Sequence, residues 1–368
     1  MRTNSPSPAP KGGPGSAPAA GAVRRGKPRR TALPTDVLAN MVVVPSGPSV
    51  HVPDTVSPEA QAFLRTLGNP ALLPAFPEPD DLEGWKRLRA FAEADGAARS
   101  APLLQRLAHT VRADRLGGVP ILDVRPRGWT DDGKVAVFAH GGAHVMHSAS
   151  STLGRAVLFA HATGLRVLSI DYTVAPLATY DRITDEMVRA IGAIVKRGPR
   201  LSDTVVYGEE SGGGLAAASL LKMRDRGLGM PAAAVLVSPW VDLTPSGDTE
   251  TTLRGADPHD VHERHGRRAA AAFAPPAMQK HPYASPVYGD YAAGFPPTLI
   301  QGGLKERLLS GFVRLYQALD LAGVPVKLDL YEGMVHDFQN RIPDAREAIV
   351  ARSKMRSFVR ERLNMGDG

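Results

Sequence analysis

Apolar positions along this chain change their period near residue 116. Upstream, from about 56 to 110, they recur three and four apart, as on one face of a helix. "SPEAQAFLRTLG" opens on a Ser-Pro, and "EPDDLEGWKRLRAFAEADGAAR" carries acids in its first turn, so both predict helices. Downstream, "GGVPILDVRPRG" alternates, and "KVAVFAHGG", "RVLSIDYTVAP", "DTVVYGEESGG", "AAAVLVSPW", "PPTLIQGG" and "VPVKLDLYEG" are short runs rich in Val, Ile and Leu. Helical stretches near 149–162, 183–196, 213–227, 308–322 and 344–362 fall between and after them. Buried strands alternating with helices predict an α/β fold, a mostly parallel sheet covered on both faces. Residues 240–290 break the rhythm with prolines, histidines and polar side chains. That stretch reads as a lid insertion packing with helices of an N-terminal cap at 48–115, over a core at 116–364.

Composition narrows the class. A chain of 368 residues with 43% hydrophobic content can bury one large core. It has no cysteine, which excludes disulfides, thiolate metal sites and cysteine nucleophiles. The formal charge of +7 is local, because residues 1–30 carry Arg2, Lys11, Arg24, Arg25, Lys27, Arg29 and Arg30 and no acid. The remainder is formally balanced, so no nucleic acid partner is expected. Residues 1–47, rich in Pro, Gly and Ala, read as a disordered basic tail. No apolar run follows Arg30 as a signal peptide requires, and none reaches the roughly 20 residues of a membrane span. The expectation is a cytoplasmic protein acting on a small molecule, with a homodimer allowed and no cofactor.

Candidate chemistry gathers at the carboxyl ends of the predicted strands, where open α/β sheets place their sites. After "VAVFA" comes His140-Gly141-Gly142-Ala143, whose glycines can turn backbone N–H groups toward a ligand oxygen. After "TVVY" comes Gly208-Glu209-Glu210-Ser211-Gly212-Gly213, a strand–turn–helix of the kind that presents a nucleophile. Glu306, in "QGGLKERLL", and His336, in "YEGMVHDF", follow the last two strands and supply the acid and base of a triad in the order nucleophile, acid, histidine.

With these pieces in place the sequence resembles the hormone-sensitive-lipase-like branch of the α/β-hydrolases, with its carboxylesterases and lactone hydrolases. The resemblance covers about 116–362 and rests on "VFAHGGAHVMHSASS", "LSIDYTVAP", "VLVSPWVDLT" and "GFPPTLIQGG…EGMVHDF" in order. It implies the α/β-hydrolase fold with a two-part cap, and neither metal nor organic cofactor. Where the family often carries an Asp, this chain has Gly311, which leaves Glu306 as the implied acid.

The elbow departs from the family. The family reads Gly-Asp-Ser-Ala-Gly-Gly where this chain reads Gly-Glu-Glu-Ser-Gly-Gly, the same length. Such a turn needs residues without bulk two places before and after its centre. Gly208 and Gly212 satisfy that for Glu210, whereas centring on Ser211 would put Glu209 in one of those places. Glu210 is therefore expected at the nucleophile position, with the N–H groups of Gly141, Gly142 and Ser211 forming the oxyanion hole.

A carboxylate at that point attacks an ester poorly, because the product is an anhydride. It suits displacement at a saturated carbon, or general acid–base work with a pKa tuned by burial. Hydrolysis of an ester, lactone or epoxide, a non-hydrolytic cyclisation, elimination or isomerisation, and a ligand-binding role all stay open. His144, Tyr283 and Tyr288 are candidate pocket residues. His140, His144 and His147 have a spacing that could suggest a metal, but His140 belongs to the backbone motif and no acid lies near, so no metal is expected. His259, His262 and His265 lack metalloprotease spacing and read as a solvated lid helix.

Overall fold

The computed structural model describes residues 50–68, 75–257 and 262–366. The basic tail and His259 lie outside the described residues.

Eight strands form one sheet in the order β1-β2-β4-β3-β5-β6-β7-β8. They are β1 His109–Leu116, β2 Val119–Pro126, β3 Val135–Ala139, β4 Arg166–Ile170, β5 Thr204–Glu209, β6 Ala233–Val237, β7 Thr298–Gly303 and β8 Val326–Tyr331. β1 and β2 pair antiparallel, as do β2 and β4, and every later pairing is parallel. The inner parallel strands β3 to β7 are buried on both faces, and successive residues feed opposite layers. Val135, Val137 and Ala139 of β3 join the core under helices α4 Tyr180–Val195, α5 Ser211–Asp225 and α7 Leu309–Leu321. Ala136 and Phe138 join the opposite core with α3 Leu153–Thr163 and α8 Arg346–Arg362. The expected doubly covered sheet is present.

The sheet begins earlier than its alternation predicts. β1 lies at an edge with nearly every side chain exposed, so its sequence, "HTVRADRL", carries no apolar period and was hidden at the end of the helical region. The two N-terminal helices form as expected. α1 Pro58–Thr66 is capped by the Ser57 hydroxyl, which accepts the Ala60 N–H at 3.2 Å, and α2 Leu82–Arg106 by Asp81, which accepts that of Gly84 at 2.8 Å. α1 packs not on the 240–290 stretch but on Met334, Val335 and Phe338, the loop that carries His336. The segment at Phe76 meets the insertion instead: the Phe76 N–H donates to Arg264 O at 3.0 Å and its ring stacks on His265 at 4.3 Å. The insertion also holds α6, Arg267–Phe273. Among the described residues no helix is long and apolar enough to cross a membrane.

Candidate active site

The elbow turns on Glu210. β5 ends at Glu209, α5 starts at Ser211, and Glu210 between them has φ 51° and ψ −120°. A non-glycine residue there stores about 1–3 kcal/mol of strain. Its neighbours explain why the turn tolerates no bulk. A Cβ on Gly208 would stand 2.3 Å from Gly212 O, and one on Gly212 would stand 2.1 Å from Ala139 O. The Glu209 side chain points into a different, buried network. The register centred on Glu210 is the one the backbone adopts.

The Glu210 carboxylate fills the oxyanion hole itself. Its Oε2 accepts the N–H of Gly142 at 2.6 Å and of Ala143 at 2.7 Å, and the Ser211 hydroxyl at 2.8 Å. The donors stand one residue along from the expected Gly141 and Gly142, because Gly142 at φ 127° and Ala143 at φ 51° turn those two amides inward. The Ser211 N–H also acts on the carboxylate, as expected. His140 is packed within this loop: Tyr172 stacks on its ring at 4.3 Å and donates to its carbonyl at 2.6 Å.

Glu306 and His336 come together. His336 Nδ1 lies 2.8 Å from Glu306 Oε2, and Glu306 is fully buried, with its other oxygen accepting the Ser238 hydroxyl at 2.8 Å and the Gly303 N–H at 2.6 Å. The His336 N–H donates to the buried Asp257. Burial alone would depress the imidazole, but the hydrogen bond and charge of Glu306, with Asp337 and Glu210, override it and raise its pKa to about 10. Burial would raise the Glu210 carboxyl, yet the His336 charge and the amides of Ala143, Ser211 and Gly142 bring it below its ordinary value. Both shifts favour a carboxylate and imidazolium pair, while burial pushes the Glu306 carboxyl upward.

That pair has a pH signature. His336 has a native pKa above its ordinary 6.5, so its stabilisation is complete below 6.5 and disappears as pH climbs through about 10. Glu210 has a native pKa below its ordinary 4.5, so its share is present above 4.5 and is lost as pH falls through the lower native value. Urea unfolding across pH should show parent stability declining between neutrality and about pH 10, with His336→Gln flattening that decline. An unchanged slope in the variant would mean the histidine rests neutral.

A second layer, absent from the sequence reading, ties the elbow to the histidine loop. Arg155, from α3, places Nη1 2.9 Å from Glu209 Oε2 and 2.6 Å from Asp337 Oδ2. Asn340 donates to Glu209 at 2.9 Å and to Asp337 at 3.0 Å, and Tyr207 donates to Glu209. Glu209, Asp337 and most of Arg155 are sealed from water, so the cation is what makes two buried carboxylates tolerable. Two signals were available in the sequence. Of two adjacent glutamates at a strand end one must turn inward, and Arg155 is the one cation in "LGRAVLFAHAT" besides a histidine.

Glu210 and His336 open on a cavity of about 170 Å³, whose wall includes Phe76, Met146, His147, Trp240, Leu308 and Arg341. A larger one of about 620 Å³ adjoins it along Phe76, Met146, His147, Arg155, His265 and Arg341 and runs beneath α2. Three candidate pocket residues need correction. Tyr283 donates to Asp225 at 2.8 Å, at the end of α5 far from the elbow. Tyr288 is held by Asp242 at 3.1 Å and Thr244 at 3.0 Å. Neither lines the cavity, because the insertion folds those rings back onto the core. His144 sits behind its wall, stacked at 3.7 Å on Phe273, and burial lowers its pKa to about 4. Trp240 is a wall residue of the smaller cavity. Among the described residues no three His, Asp or Glu side chains converge as metal ligands would, and the rings of His140 and His144 stack on different partners.

Comparison with known proteins agrees with this fold. A family model described as the alpha/beta hydrolase fold matches residues 136–340. An acetyl-hydrolase of Streptomyces hygroscopicus is 33% identical over 65% of this chain and 80% of its own length. An esterase of Acinetobacter venetianus is 29% identical over 65% of this chain and 79% of its own. The solved structure of an esterase from the bacterial hormone-sensitive lipase family has a TM-score of 0.68 at 30% identity, over 78% of this chain and 98% of that one. The chain is a hydrolase-type enzyme and belongs to the α/β-hydrolase-fold family, among its hormone-sensitive-lipase-like members.

Proposed function

We propose that this enzyme hydrolyses an electrophile at a saturated carbon, an epoxide in the first instance, with Glu210 as nucleophile. The observation that carries the reading is the seat of Glu210 Oε2 between the Gly142 and Ala143 amides. Serine esterases need that hole empty for a carbonyl oxygen, and here the enzyme's own carboxylate occupies it. A carboxylate that forms an ester through its other oxygen needs the opposite arrangement, with its carbonyl oxygen already in the hole when water attacks.

The steps balance without a cofactor. Oε1 of Glu210 attacks an epoxide carbon, the C–O bond breaks, and the His336 imidazolium gives its proton to the leaving oxygen. The product is an alkyl ester of Glu210 bearing a neighbouring hydroxyl, beside a neutral His336. With the Glu210 charge gone, one of the influences that raised the His336 pKa is gone too. His336 then takes a proton from water as the water oxygen bonds to the ester carbon, and the Gly142, Ala143 and Ser211 amides hold the oxyanion. Collapse breaks the bond to the diol oxygen, which takes a proton from His336 while the ring regains one from the hydroxyl that water left on the glutamyl carbon, so carboxylate and imidazolium stand as at the start. Glu306, fixed by Ser238 and Gly303, orients the ring throughout. The Phe76 and His265 contact lies over this cavity as a lid. A supporting wall of Phe76, Met146, Trp240 and Leu308 suits a small, partly apolar body.

Turnover of styrene oxide in heavy-oxygen water tests it. Under this mechanism water attacks the glutamyl carbon, so the peptide containing Glu210 gains the heavy isotope over many turnovers, and diol from a single turnover contains none. Label entering the diol in the first turnover, with none in the peptide, would instead make Glu210 a base that directs water to the substrate.

A further inference from the structure

Among the described residues, Arg341 is the one arginine bordering both cavities that no carboxylate pairs with. It ends the short helical turn Phe338–Arg341, and its Nε donates to the carbonyl of His336 at 2.9 Å, which fixes the guanidinium against the catalytic loop. The other arginines along the larger cavity are already engaged. Arg99 pairs with Asp95 at 2.7 Å, Arg106 with Asp344 at 2.7 Å, and Arg155 with Glu209 and Asp337. Among the described residues no carboxylate reaches ion-pair distance of Arg341. Burial accordingly pulls its pKa down to about 10, with Asp337 and Asp257 acting only through their fields. The guanidinium is partly buried and, among the described residues, bonds one backbone carbonyl and no carboxylate, while its planar fork matches one ligand group above others.

We infer that the substrate is an acid, whose carboxylate pairs with the Arg341 guanidinium while its apolar body lies along Phe76, Leu88, Phe91 and Met146. The inference rests on the epoxide reading for the reacting group and adds the group next to it. Because Arg341 is bonded to the backbone of His336, the carboxylate sits close to the reacting carbons, as in a short epoxy acid. The body of such a ligand is apolar and its head is charged. The arrangement also gives the paired arginines at the cavity margin a part, since they reduce the repulsion an anion would meet from Asp95 and Asp344.

Binding separates this inference from the chemistry. Calorimetric titration of the full chain with hydrocinnamate and with hydrocinnamamide compares a carboxylate with its neutral isostere, neither of which can react. The acid should bind about tenfold or more tightly than the amide, the value of a charge-assisted pair. Arg341→Gln should erase that preference, and Arg341→Lys, which keeps the charge and loses the fork, should keep only part of it. Thermal unfolding near the parent's midpoint checks that each variant is folded. Equal affinities for acid and amide, or a preference that persists in folded Arg341→Gln, overturns the inference. Turnover of phenylglycidate and phenylglycidamide then tells the two readings apart. If the acid binds through Arg341 and neither epoxide is opened, the carboxylate site stands and the epoxide chemistry falls. If both epoxides are opened equally well and Arg341→Gln changes neither, the chemistry stands and the carboxylate site falls.

Discussion

Glu210→Gln should lower epoxide turnover by roughly four to six orders of magnitude, the loss seen when a covalent nucleophile is removed. The amide keeps an oxygen for the hole and the length that fits the elbow, so the fold should survive, but it cannot form the ester. Glu210→Ser should move the molecule the other way, toward cleavage of p-nitrophenyl butyrate. The shorter side chain vacates the hole and frees the Gly142 and Ala143 amides, each such donor being worth about 10²–10³ in rate. It also removes one of the charges that hold His336 protonated, so the ring moves toward the range of a general base. Steady-state rates of the three proteins on both substrates settle the matter. If the parent already cleaves the ester, and Ser211→Ala abolishes that activity, the nucleophile is the Ser211 hydroxyl and the carboxylate mechanism is wrong.

Arg155→Met should cost about 3–5 kcal/mol in urea unfolding, because it strands two buried carboxylates without removing either. Glu209 and Asp337 are each exposed by no more than 3% of their side chains, so water cannot replace the guanidinium. Combining Arg155→Met with Glu209→Gln and Asp337→Asn should recover most of the loss, since neutral amides tolerate the same space. Strong non-additivity of this kind marks a network rather than a list of contacts. A single variant within about 0.5 kcal/mol of the parent would show the carboxylates reaching water after all. The network matters to chemistry because its ends are the residues flanking Glu210 and His336. Arg155 positions both loops without touching a reacting atom.

What could be read in the sequence was main-chain architecture at strand ends. The elbow was legible because Gly208 and Gly212 are demanded by backbone contacts, and their spacing locates the centre at Glu210. Glu306 and His336 were legible because each follows its strand directly. The side-chain partnerships were not. Arg155 meets Glu209 across 54 positions, and Ser238 meets Glu306 across 68, and no local period records such pairs. The hole was read one residue off because two successive positive φ angles, at Gly142 and Ala143, decide which amides face inward. Tyr283 and Tyr288 were misread because an irregular insertion gives no period from which to infer facing. β1 escaped for the reason that makes it an edge: charged residues on both faces keep other strands away and erase the alternation.

Reagents that report on serine hydrolases, such as fluorophosphonates, depend on two things at the elbow: a nucleophilic hydroxyl, and a vacant hole for the phosphoryl oxygen. Here the elbow presents a carboxylate, and one of that carboxylate's own oxygens is already bonded in the hole. A census of active hydrolases taken with such reagents would pass this molecule over, although its fold is that of the enzymes it counts.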